Sequence, residues 1–348
     1  MFVYKFFTII KSIKKNKKLT AYQKGDDIMG KIFVAGNIPK IGLEMLRDHE
    51  VEIYDGEGLI GEVELRERLQ GKDALLSLLS TKVTKETIDS ADLKIIANYG
   101  AGFDNIDYTY AIEKGIAVTN TPDVSTEATA ELTMAILLAA ARRIPEGDVL
   151  CRTKGFDGWA PLFFLGREVY GKTIGIIGLG AIGQAVAKRA KAFGMEIVYT
   201  GPSRKLETEQ QYSASYVALE DLLKQSDFVT INCAYHPTLH HMIAEPQLAL
   251  MKSTAYLINA ARGPIVDEVA LVAALKNKVI EGAALDVFEF EPRITEELKT
   301  LPNVVLTPHI GNATIETRNA MAEVAVRNIL SVLAGEEPLT PVKKMVTK

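Results

Sequence analysis

Three ionisable residues in the second half of the chain stand directly after short apolar runs, where reacting groups are commonly placed. Arg262 follows Leu257-Ile-Asn-Ala-Ala261, Glu291 lies in Ala284-Leu-Asp-Val-Phe-Glu-Phe-Glu-Pro292, and His309 lies in Leu306-Thr-Pro-His-Ile-Gly311. A guanidinium can clamp a carboxylate through two parallel hydrogen bonds and polarise a neighbouring carbonyl. An imidazole can pass a proton to a forming alkoxide, and a carboxylate beside it stabilises the imidazolium that does so. Each has an ordinary alternative, since an arginine after a strand is most often in a surface ion pair and a lone histidine is most often structural. Together they are what reduction of a 2-keto acid requires, provided another group supplies a hydride.

The hydride source is suggested by Lys172-Thr-Ile-Gly-Ile-Ile-Gly-Leu-Gly-Ala-Ile-Gly183, in which Gly178, Gly180 and Gly183 fall in the order G-x-G-x-x-G. The first glycine can make a sharp turn, the second has no Cβ to block a pyrophosphate, and the third lets helix and strand pack closely. The motif sits between an apolar β-branched run and an alanine-rich helical pattern. Ala181 and Ile182 therefore open a helix whose free amides and dipole point at phosphate, which predicts a bound dinucleotide. An NAD site would place an acid at the end of the second strand, about twenty residues on. That position reads Tyr199-Thr-Gly-Pro-Ser-Arg-Lys205 and holds no acid, while Glu196 is at the wrong end of the strand. Ser203, Arg204 and Lys205 could hydrogen-bond and neutralise a 2′-phosphate, so NADP(H) is the expected cofactor. NAD(H) is possible if that turn is merely a solvated basic one.

These groups need a frame. From Lys31 short apolar strands alternate with amphipathic helices: strands near 32–35, 51–54, 74–79, 94–98 and 116–119, helices near 41–47, 63–69 and 85–90. That alternation implies a parallel sheet covered on both faces. It includes Tyr99-Gly-Ala-Gly-Phe-Asp104, a glycine turn directly after a strand. Residues 126–143 carry alanines and leucines nearly all round, which predicts a buried helix that could connect two domains. A second strand set follows near 173–177, 196–200, 228–231, 255–259, 282–286 and 304–306. The expected fold is α/β, with two doubly wound parallel-sheet domains of Rossmann or flavodoxin-like type and an active-site cleft between them. Residues 29–125 would form a substrate-binding domain completed by 313–348, through a long returning helix at 313–333. Residues 126–312 would form the dinucleotide domain.

Composition narrows the function. A net charge of −4 leaves no electrostatic footprint for nucleic acid. Cys151 and Cys233 are far apart and lack C-x-x-C or Cys/His spacing, which argues against a disulfide framework or zinc site and for a reducing, cytoplasmic setting. His236, His240 and His241 lie close together but without other clustered ligands, so no metal is expected. Residues 1–28 mix a short apolar group with five lysines between Lys11 and Lys18. A basic membrane-surface helix is one reading; the favoured one takes Met29 as the native start and residues 1–28 as disordered or not made, because Lys24-Gly-Asp26 can be encoded by a purine-rich ribosome-binding sequence. No membrane span is expected. The segment 155–169 is glycine-rich and aromatic, with Trp159 beside Phe163 and Phe164. It is either a loop packed on its own domain or an arm buried against a second subunit, and a homodimer is expected.

The chain resembles the D-isomer-specific 2-hydroxyacid dehydrogenase family, and within it most closely the glyoxylate/hydroxypyruvate reductases. The likeness runs from about Lys31 to Pro341 and rests on Gly178-Leu-Gly-Ala-Ile-Gly183, Asn259-Ala-Ala-Arg-Gly263, Leu285-Asp-Val-Phe-Glu289 with Glu291-Pro292, and Thr307-Pro-His-Ile-Gly311. It implies that Arg262 binds substrate, that His309 is the acid/base, and that Glu291, not Glu289, is its partner. It further implies cofactor contacts at Cys233, Ala260, Asp286 and Gly311, with Asp286 meeting the nicotinamide carboxamide. Tyr99, Ala101 and Gly102 would form the substrate-carboxylate turn, faced by Leu79 and Ser80. Two departures stand out: Asn312 replaces a common serine, and Cys233-Ala-Tyr-His-Pro237 lacks the usual proline pattern. The expected activity is NADPH-dependent reduction of glyoxylate or hydroxypyruvate, because no basic cluster awaits a phosphate-bearing substrate. Bulkier keto acids remain open, as Leu79, Tyr99 and Trp159 could line a larger pocket. Phosphoglycerate dehydrogenase is a weaker alternative. A dinucleotide-sensing, corepressor-like binding protein is an alternative of another class.

Overall fold

The computed structural model describes residues 29–344. The readings of residues 1–28 and of the last four residues lie outside that range. Five strands, β1 (Lys31–Val34), β2 (Glu50–Ile53), β3 (Ala74–Leu78), β4 (Ile95–Tyr99) and β5 (Ala117–Thr119), form a parallel sheet in the order β2-β1-β3-β4-β5. Seven more, β6 (Thr173–Ile177), β7 (Glu196–Thr200), β8 (Ala214–Tyr216), β9 (Phe228–Ile231), β10 (Tyr256–Asn259), β11 (Gly282–Leu285) and β12 (Val304–Leu306), form a second in the order β12-β11-β10-β9-β6-β7-β8. Most of these strands are continuous apolar runs because helices cover both sheet faces. The central strands β3, β4, β6, β9, β10 and β11 are almost wholly buried. The two doubly wound domains expected from the alternation are present. In each, the strand order reverses beside the first strand, which leaves a crevice at the carboxyl edge.

Two helices join the sheets. The Thr126–Ala141 helix buries Ala130, Met134, Ile136 and Leu137 in one core with Ile174 and Ile176 of β6 and Val186 and Ala190 of the Ala181–Ala192 helix. It ends before Arg143, whose backbone is left-handed at φ 56°, and a separate helix, Ile144–Thr153, follows. The Ile315–Leu333 helix begins at Thr314, whose hydroxyl accepts the Thr317 amide at 3.1 Å. It leaves the second sheet and returns to the first, where Met321, Ala322, Ala325, Val326 and Ile329 pack with Ile32, Val34, Ile95 and Ala97. A fully buried apolar stripe of this length makes the helix integral to the first domain's core.

The aromatic segment after Thr153 packs on its own domain only in part: Phe164 lies under the Arg143 guanidinium at 4.2 Å and Val169 enters the core, but most of its large apolar side chains face solvent. Trp159 is 87% exposed and Leu162 84%, with Phe156, Leu165 and Tyr170 also in solvent. Among the described residues no helix is long and apolar enough to cross a membrane.

Candidate active site

The glycine turn has the geometry its spacing demands. Gly178 takes φ 94° after β6, a region that disfavours side chains, and a Cβ there would sit 2.8 Å from the backbone of Cys233. A Cβ on Gly183 would lie 2.1 Å from the Gly178 carbonyl oxygen, so helix and strand touch there. At Gly180 an added Cβ would meet nothing within 4 Å, which leaves open space at the helix start beside Ala181 and Ile182. At the same sheet edge two buried side-chain atoms, Asn232 Nδ2 and Asn312 Oδ1, have no partner among the described residues. A crowded turn, an open second glycine and unpaired polar atoms nearby fit a dinucleotide.

The three reacting candidates converge at the carboxyl ends of β10, β11 and β12. His309 Nδ1 is 2.9 Å from Glu291 Oε2, and its Nε2 has no protein partner among the described residues. The Glu291 carboxyl is also anchored by the Phe288 amide at 2.9 Å. Burial pushes that carboxyl up, but the hydrogen bond and charge of His309, then the Phe288 amide and the charge of Arg262, outweigh burial and hold it below the usual carboxylate value. It is therefore ionised at neutral pH and fixes the imidazole with a proton on Nδ1.

Arg262 is aimed across the cleft. Its Nη1 donates to the Ala261 carbonyl at 2.8 Å, and its Nε to Asp104 Oδ1 at 3.1 Å on the loop after β4. Its Nη2 lies so close to Gly102 that a Cβ there would come within 1.7 Å of it. Asn259, buried at the end of β10, clips this turn by donating to the Arg262 carbonyl at 2.9 Å and accepting the Ala261 amide at 3.0 Å. Opposite, the Asn98 side chain binds the Gly102 carbonyl at 2.6 Å and Asn120 binds the Ala101 carbonyl at 2.7 Å. The carbonyls of that turn are thus engaged, while the amides of Ala101 and Gly102 find no acceptor among the described residues. Leu79 lies over Gly100, where a Cβ would be 2.3 Å from its Cδ2. A guanidinium beside Gly102, with two amides that have no acceptor among the described residues, is a donor set of the kind a carboxylate takes.

A model of the D-isomer specific 2-hydroxyacid dehydrogenase NAD binding domain matches residues 134–311, half of the chain. A Staphylococcus saprophyticus protein provisionally named a 2-hydroxyacid dehydrogenase is 62% identical over 89% of this chain and 98% of its own. The chain belongs to the D-isomer-specific 2-hydroxyacid dehydrogenases. Among solved structures, a glyoxylate reductase from Paecilomyes thermophila is 33% identical with a TM-score of 0.81, over 90% of this chain and 98% of that one. An NADPH-dependent glyoxylate/hydroxypyruvate reductase from Sinorhizobium meliloti is also 33% identical, with a TM-score of 0.77, over 90% and 97%.

Within this dehydrogenase some expected site residues take other places. Tyr99 does not line the cleft: it is 5% exposed, packs in the first core, and donates its hydroxyl to the Arg318 carbonyl at 2.6 Å. Its backbone leads into the substrate turn, but its side chain faces the Ile315–Leu333 helix. Asp286 is fully buried, and its carboxylate accepts from Thr307 Oγ1 at 2.6 Å and from the Ile310 and Gly311 amides at 2.8 Å each. Burial raises this carboxyl, and those donors with the charge of His309 offset it only in part. Asp286 thereby grips the loop that carries His309, whose left-handed backbone, φ 52°, is held by its amide N–H donating to the Asp286 carbonyl at 2.8 Å. Cys233 abuts Gly178, and burial pushes its thiol up to about 11, so it is a neutral wall of the turn. Ala260 and Gly311 lie in the loops after β10 and β12. Ser203, Arg204 and Lys205 are exposed after β7, and Arg204 is paired with Glu209 at 2.6 Å.

His240, His241 and Glu289 bring three ligand-type atoms within 4.8 Å of one another. The two imidazoles stack with centroids 4.0 Å apart and planes 19° from parallel, so their in-plane lone pairs do not meet at one point. His241 Nε2 instead pairs with Glu289 Oε1 at 2.7 Å, joining the loops after β9 and β11. Asp104 and Glu209 are neighbours that motif reading missed, and Asn259 stood in the Asn259–Gly263 motif without a role assigned to it. Asp104 was visible only as the last residue of the glycine turn, and its partner lies 158 positions away.

Proposed function

We propose that this dehydrogenase reduces small 2-keto acids to 2-hydroxy acids with NADPH, glyoxylate and hydroxypyruvate foremost. The observation that carries this reading is the His309–Glu291 pair, within reach of the charge of Arg262, whose guanidinium lies against Gly102. Arg262 and the amides of Ala101 and Gly102 hold the substrate carboxylate, and the positive charge of Arg262 polarises the adjacent carbonyl. His309 gives its Nε2 proton to the carbonyl oxygen in reduction and takes it back in oxidation, while Glu291 stabilises the imidazolium. The nicotinamide of a dinucleotide whose pyrophosphate is held at the glycine turn would supply the hydride. NADPH is favoured by the basic turn at Ser203 to Lys205 and the missing acid after β7, and the S. meliloti relative is named as NADPH-dependent. Leu79 over Gly100 favours a short substrate.

The working protein is a cytoplasmic homodimer in this reading. The solvent-facing aromatics from Phe156 to Tyr170 form an apolar surface suited to a second copy, and both cysteines are free. The deciding experiment follows NADPH oxidation with glyoxylate, hydroxypyruvate, pyruvate and 2-ketoisocaproate in one panel. Turnover should be fastest with the first two. Absence of turnover with all four would overturn the assignment in favour of a dinucleotide-sensing binding role.

A further inference from the structure

The turn after β7 is more tightly built than a solvated basic loop needs to be. Arg204 meets Glu209 fork to fork, Nε to Oε1 at 3.1 Å and Nη2 to Oε2 at 2.6 Å. Glu209 Oε1 also accepts the Tyr199 hydroxyl at 2.6 Å, and that hydroxyl accepts the Lys205 amide at 2.7 Å. Tyr199 is fully buried in β7, and its ring meets the edge of Tyr216 at 5.3 Å. Tyr216 in turn donates its hydroxyl to the Gly201 carbonyl at 3.0 Å. The turn is thus pinned at Gly201, Arg204 and Lys205, and Glu209 is the centre of the network, its side chain only 13% exposed against 59% for Arg204.

We propose that Glu209 sets the preference between the two nicotinamide dinucleotides by withholding the charge of Arg204 from the 2′ position. The inference rests on the reading of Ser203 to Lys205 as the turn that meets the 2′ group. A bidentate arginine–carboxylate pair carries no net charge and has already committed two of the three guanidinium nitrogens. Lys205, which forms no ion pair among the described residues, is then the uncompensated cation at that corner. A dianionic 2′-phosphate gains less from this corner than from two free cations, and it meets the Glu209 carboxylate as a like charge. A 2′-hydroxyl suffers no such loss. The chain therefore uses both dinucleotides, with an NADPH preference narrower than Arg204 and Lys205 alone imply. Glu209 is a specificity-determining residue that acts through Arg204.

Dissociation constants of NADPH and NADH, measured by fluorescence titration of the full chain without substrate, test this directly. Glu209→Gln keeps the size and the acceptor for Tyr199 while removing the charge. It should tighten NADPH about fivefold and leave NADH within about twofold, the scale of a half-exposed ion pair. Glu209→Ala should shift NADPH in the same direction, which covers the case in which the amide variant folds poorly. Retained NADH affinity shows that the site is intact. In an Arg204→Ala background the effect of Glu209→Gln on NADPH should differ in size from that in the intact turn, because the cycle separates the part that acts through Arg204 from the direct repulsion between carboxylate and phosphate; equal effects in both backgrounds would overturn the proposal. Unchanged or weakened NADPH binding in both Glu209 variants would overturn the proposal and make Glu209 a support for Arg204. If Arg204→Ala and Lys205→Ala both leave NADPH affinity unchanged, the 2′-phosphate reading falls, and the proposal with it.

Discussion

The two sheets present edges of opposite character to the cleft. After β10, β11 and β12 the second sheet offers ionisable side chains, Arg262, Glu291 and His309, each held in place by a buried neighbour: Asn259, the Phe288 amide and Asp286. After β4 the first sheet offers mostly backbone, the amides of Ala101 and Gly102, with Leu79 over Gly100 and a single carboxylate, Asp104. Moving a proton needs particular functional groups at fixed angles, so that edge is specified by residue type. Holding a small carboxylate can be done by peptide N–H groups, which every residue but proline carries, so the other edge is specified by shape.

The sharpest way to break this contrast is at His309. His309→Gln should lower kcat by about 10²- to 10⁴-fold with NADPH affinity unchanged, measured by steady-state kinetics and direct titration. An unchanged kcat would place the acid elsewhere. On the shape-specified edge, Gly102→Ala forces a methyl to within 1.7 Å of Arg262 Nη2. A displacement of that kind should lower kcat/KM for glyoxylate about 100-fold while the thermal midpoint changes little. If the variant turns over normally, Arg262 does not work in the pose seen. Asp104→Asn removes a charge but no volume; KM should rise about fivefold with kcat within about twofold, since the pair is partly exposed. A fall in kcat alone would contradict its role in holding Arg262.

The smallest effect is on stability. The Glu291 carboxyl lies below its ordinary value in the folded chain, so its contribution is present above the unfolded carboxylate range and is lost as pH falls through the lowered folded value. Denaturant midpoints of wild type and Glu291→Gln should therefore differ at neutral pH and converge on acidification. Curves that stay parallel would show that the His309 contact adds no pH linkage.

Much of this frame was legible from local pattern. Apolar runs of four or five residues between turns gave the central strands within a residue or two, and the G-x-G-x-x-G spacing fixed where the second domain begins its helix. The short strand β8 escaped because two of its three residues are exposed. The Ile144–Thr153 helix escaped as well; it holds a glycine, Gly147, and a proline, Pro145, which is tolerated in a first turn. At the site, Arg262, Glu291 and His309 could be picked out because they are chemically complementary and each lies in a motif that carries the family resemblance. Tyr99 was misplaced because what decides its direction is a helix arriving 219 residues later. Asp104 and Glu209 were passed over for a similar reason, since a carboxylate's meaning depends on which cation folding delivers to it.

The loop bearing His309 runs, six residues on, into the Ile315–Leu333 helix, which is seated on the other sheet and tied to the end of β4 through Tyr99. A chain spans at most about 3.6 Å per residue, so this tether is short compared with the domains it joins. The other crossing, between β5 and the Thr126–Ala141 helix, is equally short, so His309 stands within a few residues of one of two brief links between the sheets. A change in the seating of the Ile315–Leu333 helix on the first sheet is therefore passed to the imidazole through only a few residues of chain.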